Sequence, residues 1–168
     1  MKFALLFPII VLSCVSLASP SRAENPDHVK KFKQTKQCPG CDLSGADLSD
    51  LNLRQANLQG ADLSGVNLTD SDLTKANLSN AILTGANLYK IKLIGANLSN
   101  ARLNSANLMW SQLMDANFRG ASLINTNIYN ANLTGADFTD VNLNGISCWG
   151  GSYIAPDGIN SKIWCTER

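Results

Sequence analysis

Cysteine is the residue type in this chain best suited to chemistry. Cys38 and Cys41 form a Cys-Pro-Gly-Cys motif, and a Cys-x-x-Cys pair in a suitable fold acts as a dithiol redox centre. Such a centre also needs a βαβ unit and a helix N-terminus that lowers a thiol pKa, and the surrounding sequence supplies neither. His28 is the only histidine, so the usual general base is missing from almost the whole chain. We therefore predict no enzyme, no cofactor and no small-molecule substrate, with a thiol-redox protein using Cys38 and Cys41 as the alternative.

The first 23 residues have the features of a secretory signal peptide. Lys2 precedes an apolar run over residues 3–15, and Ser-Arg-Ala stands before Glu24. This run is too short to span a membrane, so we expect cleavage after Ala23 and export. The alternative is a bacterial lipoprotein, with residues 11–14 as the lipidation box and a diacylated Cys14.

Beyond residue 40, a large apolar residue returns at every fifth position. From Leu43 to Leu143, all 21 positions in this register are Leu, Phe or Ile. The residue two places earlier is Ala in 13 repeats, and the residue just before is Asn or Asp in 16. A period of five matches neither the 3.6-residue period of a helix nor the two-residue period of a strand.

A chain that turns about 90° every five residues keeps all these apolar side chains on a common axis. Four repeats then close a square coil of 20 residues, and stacked coils pair their backbones in parallel about 4.8 Å apart. The repeats predict about five coils and a rod on the order of 25 Å long. We expect the Asn and Asp side chains to bond backbone amides at the corners, as they do in turns.

This pattern resembles the A(D/N)LXX motif of the pentapeptide-repeat family over residues 41–145. The resemblance implies an all-β solenoid, a right-handed quadrilateral β-helix, with Leu43, Leu48 and their successors at the central inward position. Ala46, Ala56, Ala61 and their successors take the second inward position. An export signal and a Cys-x-x-Cys just before the first repeat make the chain most similar to cyanobacterial members of the periplasm or thylakoid lumen. That likeness carries the expected localisation.

Both ends of such a rod need a cover. Residues 25–37 begin with Asn-Pro-Asp and place Val29 and Phe32 on one side, which predicts a short helix over the first coil. Residues 147–165 break the repeat with Gly, Pro and aromatic residues and predict an irregular C-terminal cap. The predicted organisation is a signal peptide (1–23), an N-terminal cap (24–40), the repeat β-helix (41–145) and a C-terminal cap (146–168).

Four lysines of the N-terminal cap form a basic cluster at Lys30, Lys31, Lys33 and Lys36. The simplest interpretation is the solvated side of the capping helix. The alternative is contact with an anionic membrane surface or an acidic partner.

Removal of the signal peptide leaves four cysteines, and an even number in an exported chain indicates disulfides. Two of them lie at each end of the rod, so no single point can gather all four around zinc, and we predict no metal site. We expect local bonds, Cys38–Cys41 and Cys148–Cys165, each fixing a cap.

The outward positions, sorted by face at steps of 20 residues, gather aromatic and methionine side chains in the middle and later coils. Such a patch is typical of a protein contact. The alternative is that these side chains pack along the solenoid wall or under the C-terminal segment. The predicted partner-binding residues are Tyr89, Ile94, Met109, Trp110, Met114 and Tyr129.

A non-catalytic exported scaffold that binds another protein, possibly a second copy of itself, is therefore the predicted function. Nucleic-acid mimicry, which some pentapeptide-repeat proteins use against topoisomerases, is a distant alternative because it requires a strongly acidic surface. Residues 41–145 hold nine Asp against six Lys or Arg, and the formal charge of the whole chain is +1. We accordingly predict no nucleic-acid partner.

Overall fold

The computed structural model describes residues 25–147, and the helix found there, α1, spans Pro26–Thr35. From Gln37 to Ser147 the backbone forms single parallel β-bridges, each joining two residues 20 positions apart. The series runs from Gln37–Asn57 to Asn127–Ser147. This step confirms that four repeats make one coil and that successive coils stack in parallel.

Each corner is a tight turn closed by the backbone. The carbonyl of a Leu-type residue accepts a hydrogen bond from the N–H three residues later, as from Ala46 to Leu43 at 3.2 Å. The second residue after the Leu has a positive φ at every corner from Gly40 to Gly145. A positive φ at the third of four residues is the requirement of a type II turn, so each corner needs one residue in the left-handed region.

The Asn and Asp side chains cap these corners. The Oδ1 atom of Asp47 accepts from the backbone N–H of Ser49 at 3.2 Å and from its hydroxyl at 2.8 Å. Equivalent bonds recur up the rod, for example from Thr139 to Asp137. The predicted bonds between Asx side chains and corner amides are confirmed.

The core is formed by the Leu-type and Ala-type side chains inside the coils. The Leu-type and Ala-type residues from Leu43 to Phe138 are buried, apart from Leu51, which is half-buried. Phe118 and Phe138, on successive coils, stack with ring centroids 4.9 Å apart. The predicted inward positions of both residue classes are confirmed.

Helix α1 lies against the first coil. The side chain of Asn25 caps its N-terminus, Pro26 occupies the first turn, and Val29 and Phe32 are buried in the core cluster. The Nδ1 atom of His28 accepts a hydrogen bond from the backbone N–H of Asp42 at 3.0 Å. The predicted helix and its apolar side are confirmed, and the one histidine ties it to the repeats.

The predicted signal peptide and residues 148–168 of the predicted C-terminal cap lie outside the described residues. The domain boundaries therefore stay predictions. Within residues 25–147, no helix is long and apolar enough to cross a membrane.

Candidate interaction surface

The cysteine pair at the start of the repeats is a buried crosslink. Cys38 and Cys41 are disulfide-bonded, with Cα atoms 5.3 Å apart, and are 0% and 5% exposed. They occupy a Leu-type and an Ala-type position across one corner. The bond confirms the first predicted disulfide, while Cys148 and Cys165 lie outside the described residues. A substrate dithiol has no direct access to sulfur atoms packed in this position.

Metal-binding side chains do not converge in the part of the chain that the structure describes. Over residues 25–147, no group of three His, Cys, Asp or Glu side chains is placed to hold a metal ion.

The six predicted contact residues come together on two adjoining faces. Tyr89, Met109 and Tyr129 occupy the same position on three successive coils, beside the bridged residues Asn87, Asn107 and Asn127. Ile94 and Met114 hold the equivalent positions on the next face, beside the bridged pair Lys92 and Gln112. Trp110 lies at the corner between the two faces. We call these six residues the aromatic–Met patch.

Trp110 is the most prominent side chain of the patch. It is 50% exposed, whereas the other five members are partly buried. Its ring meets the edge of Tyr129 with centroids 6.2 Å apart and planes inclined by 65°. The ammonium of Lys90, one coil earlier, lies 5.2 Å from the ring centroid of Tyr89. Trp110 is thus held from one side and open to solvent on the other.

The backbone of Trp110 has a φ of 60°. At the other described corners this position holds Gly, Asn, Asp, Ser, Lys or Gln. The left-handed region is rare for bulky residues and costs roughly 1–2 kcal/mol for an L-amino acid. Sequence reasoning missed this strain, although the position of Trp110 two residues after Leu108 would have revealed it.

A neighbouring face provides a polar contrast. It carries, on successive coils, Gln59, Ser79, Ser99, Arg119 and Thr139. This face supplies control positions for tests of the patch.

Two corner aspartates have a lowered pKa. Hydrogen bonds from the Thr139 side chain and backbone hold the pKa of Asp137 below its ordinary value, and the Ser49 bonds do the same to the pKa of Asp47. These carboxylates stabilise corners.

Arg54 and Asp72 form an ion pair on the first two coils, with Nη1 and Oδ2 3.0 Å apart. Burial raises the pKa of Asp72, but hydrogen bonds from Thr74 and Arg54 outweigh it and lower the pKa overall. The guanidinium is half exposed, so this pair contributes little to stability.

Family models describe the same repeats that the structure shows. A model of a "Pentapeptide repeat region" matches residues 71–148, and one of "Pentapeptide repeats (8 copies)" matches residues 39–74. The chain belongs to the pentapeptide-repeat family. No match is found among curated proteins.

Several solved pentapeptide-repeat structures are similar to the chain. The protein Rfr23 from the cyanobacterium Cyanothece 51142 is 29% identical with a TM-score of 0.62, and the match covers 73% of this chain and 93% of that one. A thylakoid-lumen member from Arabidopsis thaliana is 36% identical over 63% of this chain and 68% of its own, with a TM-score of 0.31. QnrB1, a plasmid-mediated fluoroquinolone resistance protein, is 21% identical over 67% of this chain and 59% of its own, with a TM-score of 0.45.

Proposed function

We propose that this protein is an exported, non-catalytic scaffold that binds another protein through the aromatic–Met patch on a right-handed quadrilateral β-helix. The observation that carries the proposal is Trp110, which is half exposed on a strained left-handed backbone. Strained backbone positions cluster at functional sites, and Trp is among the residues that carry most of the binding free energy at protein contacts. Handedness follows the family, and location in the periplasm or thylakoid lumen rests on the resemblance to exported cyanobacterial members, which the signal-like sequence of residues 1–23 and the Cys-x-x-Cys motif carry.

The composition of the patch supports a protein partner. Trp, Tyr and Met are enriched where proteins contact each other, and a few aromatic anchors usually carry most of the binding free energy. Trp110 and Tyr129 form such an anchor pair, because their rings already contact each other before any partner arrives. Little side-chain entropy is then lost on binding.

The two alternative functions find less support. A thiol-redox role requires an accessible sulfur atom, and both Cys38 and Cys41 are buried. Nucleic-acid mimicry requires a dense array of negative charges, and residues 25–147 hold ten Asp against ten Lys or Arg. Contact of Lys30, Lys31, Lys33 and Lys36 with an anionic membrane surface or an acidic partner stays an untested alternative to a solvated helix face.

A capture experiment with matched variants tests the proposal. The purified full chain, the patch variant Tyr89→Ala/Trp110→Ala/Tyr129→Ala and the polar-face variant Gln59→Ala/Arg119→Ala are immobilised and exposed to an envelope extract. We expect a protein that binds the wild type and the polar-face variant, is lost from the patch variant, and rebinds as a purified component. Equal capture by a patch variant with an unchanged melting temperature would contradict the proposal.

A further inference from the structure

Opposite charges stack on one edge of the rod, beside the aromatic–Met patch. Successive coils place Asp50, Asp70, Lys90 and Trp110 one above another at the corner, because each backbone N–H bonds to the next coil, as from Asp70 to Tyr89 at 3.0 Å. The adjoining column contains Asn52, Asp72, Lys92 and Gln112, joined by successive β-bridges. We call these two columns the Asp–Lys edge.

The charges of this edge are available for an external contact. Asp70, Lys90 and Lys92 are exposed. Within residues 25–147, the ion pair found in this region joins Arg54 to Asp72. Lys90 lies against the Tyr89 ring rather than against a carboxylate. Asp70, Lys90 and Lys92 thus have no ion-pair partner among residues 25–147, whereas Asp72 is already paired with Arg54.

From this pattern we infer that the Asp–Lys edge binds a second copy of the chain in an antiparallel pair. The inference rests on the proposed function and specifies its partner. The two-fold axis lies in the contact plane, perpendicular to the rod and midway between the two charged coils. Each column of one subunit then faces the same column of the partner subunit, which runs in the opposite direction. Asp70 then faces Lys90 of the partner subunit, and Asp72 faces Lys92 of the partner subunit. Symmetry repeats both pairs, so the edge is complementary to itself.

The same register determines which part of the partner subunit faces Trp110. It faces Asp50 of the partner subunit, next to the stacked column that begins with Ser49 and Thr69. The two coils above the axis on one copy thereby contact the two coils below it on the other. This contact covers the Trp110 indole, and the facing charges set the register of the two rods.

The size of the edge predicts a weak complex. A rod on the order of 25 Å long offers less than the roughly 800 Å² per partner of a standard stable interface. We therefore expect reversible association that weakens with salt, because the facing charges remain near solvent.

Sedimentation equilibrium of the full chain over a wide concentration range tests the inference. We expect Lys90→Asp and Asp70→Lys each to weaken association about tenfold, since each change turns two facing pairs from attraction to repulsion. The double variant Asp70→Lys/Lys90→Asp has the wild-type net charge and restores both facing pairs, so its association should return to the wild-type value. Arg119→Asp changes the charge by the same amount on the polar face and should have no effect.

Each remaining outcome is decisive. A chain that is monomeric at all concentrations, or a double variant as weak as the single variants, overturns the self-association. Its failure is separable from failure of the proposed function, because capture of another protein by the wild type and its loss from the patch variant would leave the patch as a binding surface. Melting temperatures of all variants verify that the fold is kept.

Discussion

The hydroxyl of Ser71 completes the corner that ends at Leu51, one coil earlier. Its Oγ accepts a hydrogen bond from the backbone N–H of Leu51 at 3.1 Å and donates one to the carbonyl of Leu48 at 2.7 Å. The N–H and carbonyl at these two positions bond directly at most other corners, as in the Ala46–Leu43 turn. Ser71 is fully buried, so these bonds have no water to replace them.

Substitutions at Ser71 test the stacking register. Ser71→Ala should lower the free energy of unfolding by about 1–3 kcal/mol, because it removes both hydrogen bonds that the hydroxyl makes to Leu48 and Leu51. Ser71→Leu should cost more, because it loses the same bonds and forces extra volume between the coils of Leu51 and Ile91. Chemical denaturation measures both values, and equal stabilities of the two variants would contradict the stacking of these residues.

Two corner glycines form a matched pair for a second prediction. Gly85 and Gly135 both have a positive φ, but a Cβ atom at Gly85 meets nothing, whereas one at Gly135 collides with the Asp115 side chain one coil earlier. Gly85→Ala should cost about 1 kcal/mol for the left-handed backbone. Gly135→Ala should cost about 1 kcal/mol more, because Asp115 must leave its rotamer. A smaller loss at Gly135 than at Gly85, measured by thermal melting, would argue against this contact.

A corner without a cap offers a stabilising substitution. Residue 82 is Ile where most repeats have Asn or Asp, and the Oγ1 atom of Thr84 is buried without a hydrogen-bond partner. Ile82→Asn should supply an acceptor for the N–H and the hydroxyl of Thr84, and raise stability by about 1 kcal/mol. Lys92→Asn is the control, because Ile94 has no hydroxyl to donate and the gain should be smaller. A lower melting temperature for Ile82→Asn would show that its apolar contacts matter more.

Acid should weaken the corner caps made by aspartate. Hydrogen bonds from Ser49 and Thr139 lower the pKa of Asp47 and of Asp137 in the folded chain. A carboxyl group with a lowered folded pKa contributes stability that is complete above its unfolded pKa and is lost as pH falls through the folded value. The contribution of these two caps to stability should therefore be constant from neutral pH to near pH 4 and decline below it.

The variant Asp47→Asn/Asp137→Asn isolates this effect. Asparagine accepts the same bonds at other corners, as from Thr134 to Asn132, but does not titrate. The variant should lose less stability than the wild type between pH 4 and pH 2, as followed by thermal melting. Identical pH profiles would mean that the acid sensitivity arises elsewhere.

Much of the fold could be predicted from the sequence because a five-residue period permits few backbones. The inward leucines and alanines, the step of 20 residues, the Asx caps, helix α1 and the first disulfide all follow from local pattern and register. Each of these features depends on residue types a few positions apart in the sequence or on the 20-residue step between coils.

Features that depend on atoms one coil away could not be predicted. The sequence places the small residue Ser71 between Leu51 and Ile91 at steps of 20 residues, but it does not reveal the two hydrogen bonds that Ser71 makes to the previous coil. Asn104 is another case, because its Oδ1 accepts from the Ser122 hydroxyl at 2.7 Å and from the Ile124 N–H at 3.2 Å. It thereby caps a corner that has serine in place of Asn or Asp. Side-chain direction across coils, rather than residue type, decides these contacts.

The aromatic–Met patch could be predicted from the sequence only in part. Its six members could be placed on two adjoining faces from the register alone. Their unequal exposure, the ring contact between Trp110 and Tyr129, and the left-handed backbone of Trp110 needed the structure. These features concentrate the proposed function on one corner.

Binding through Trp110 is tested by a photo-crosslinking phenylalanine derivative at position 110 of the full chain, and in a matched variant at position 119 on the polar face. Both variants are illuminated in the native compartment and separated by mass. Binding through the aromatic–Met patch predicts crosslinked protein products from position 110 that are absent from position 119. Position 110 yielding the uncrosslinked chain alone, or the same products as position 119, would contradict it.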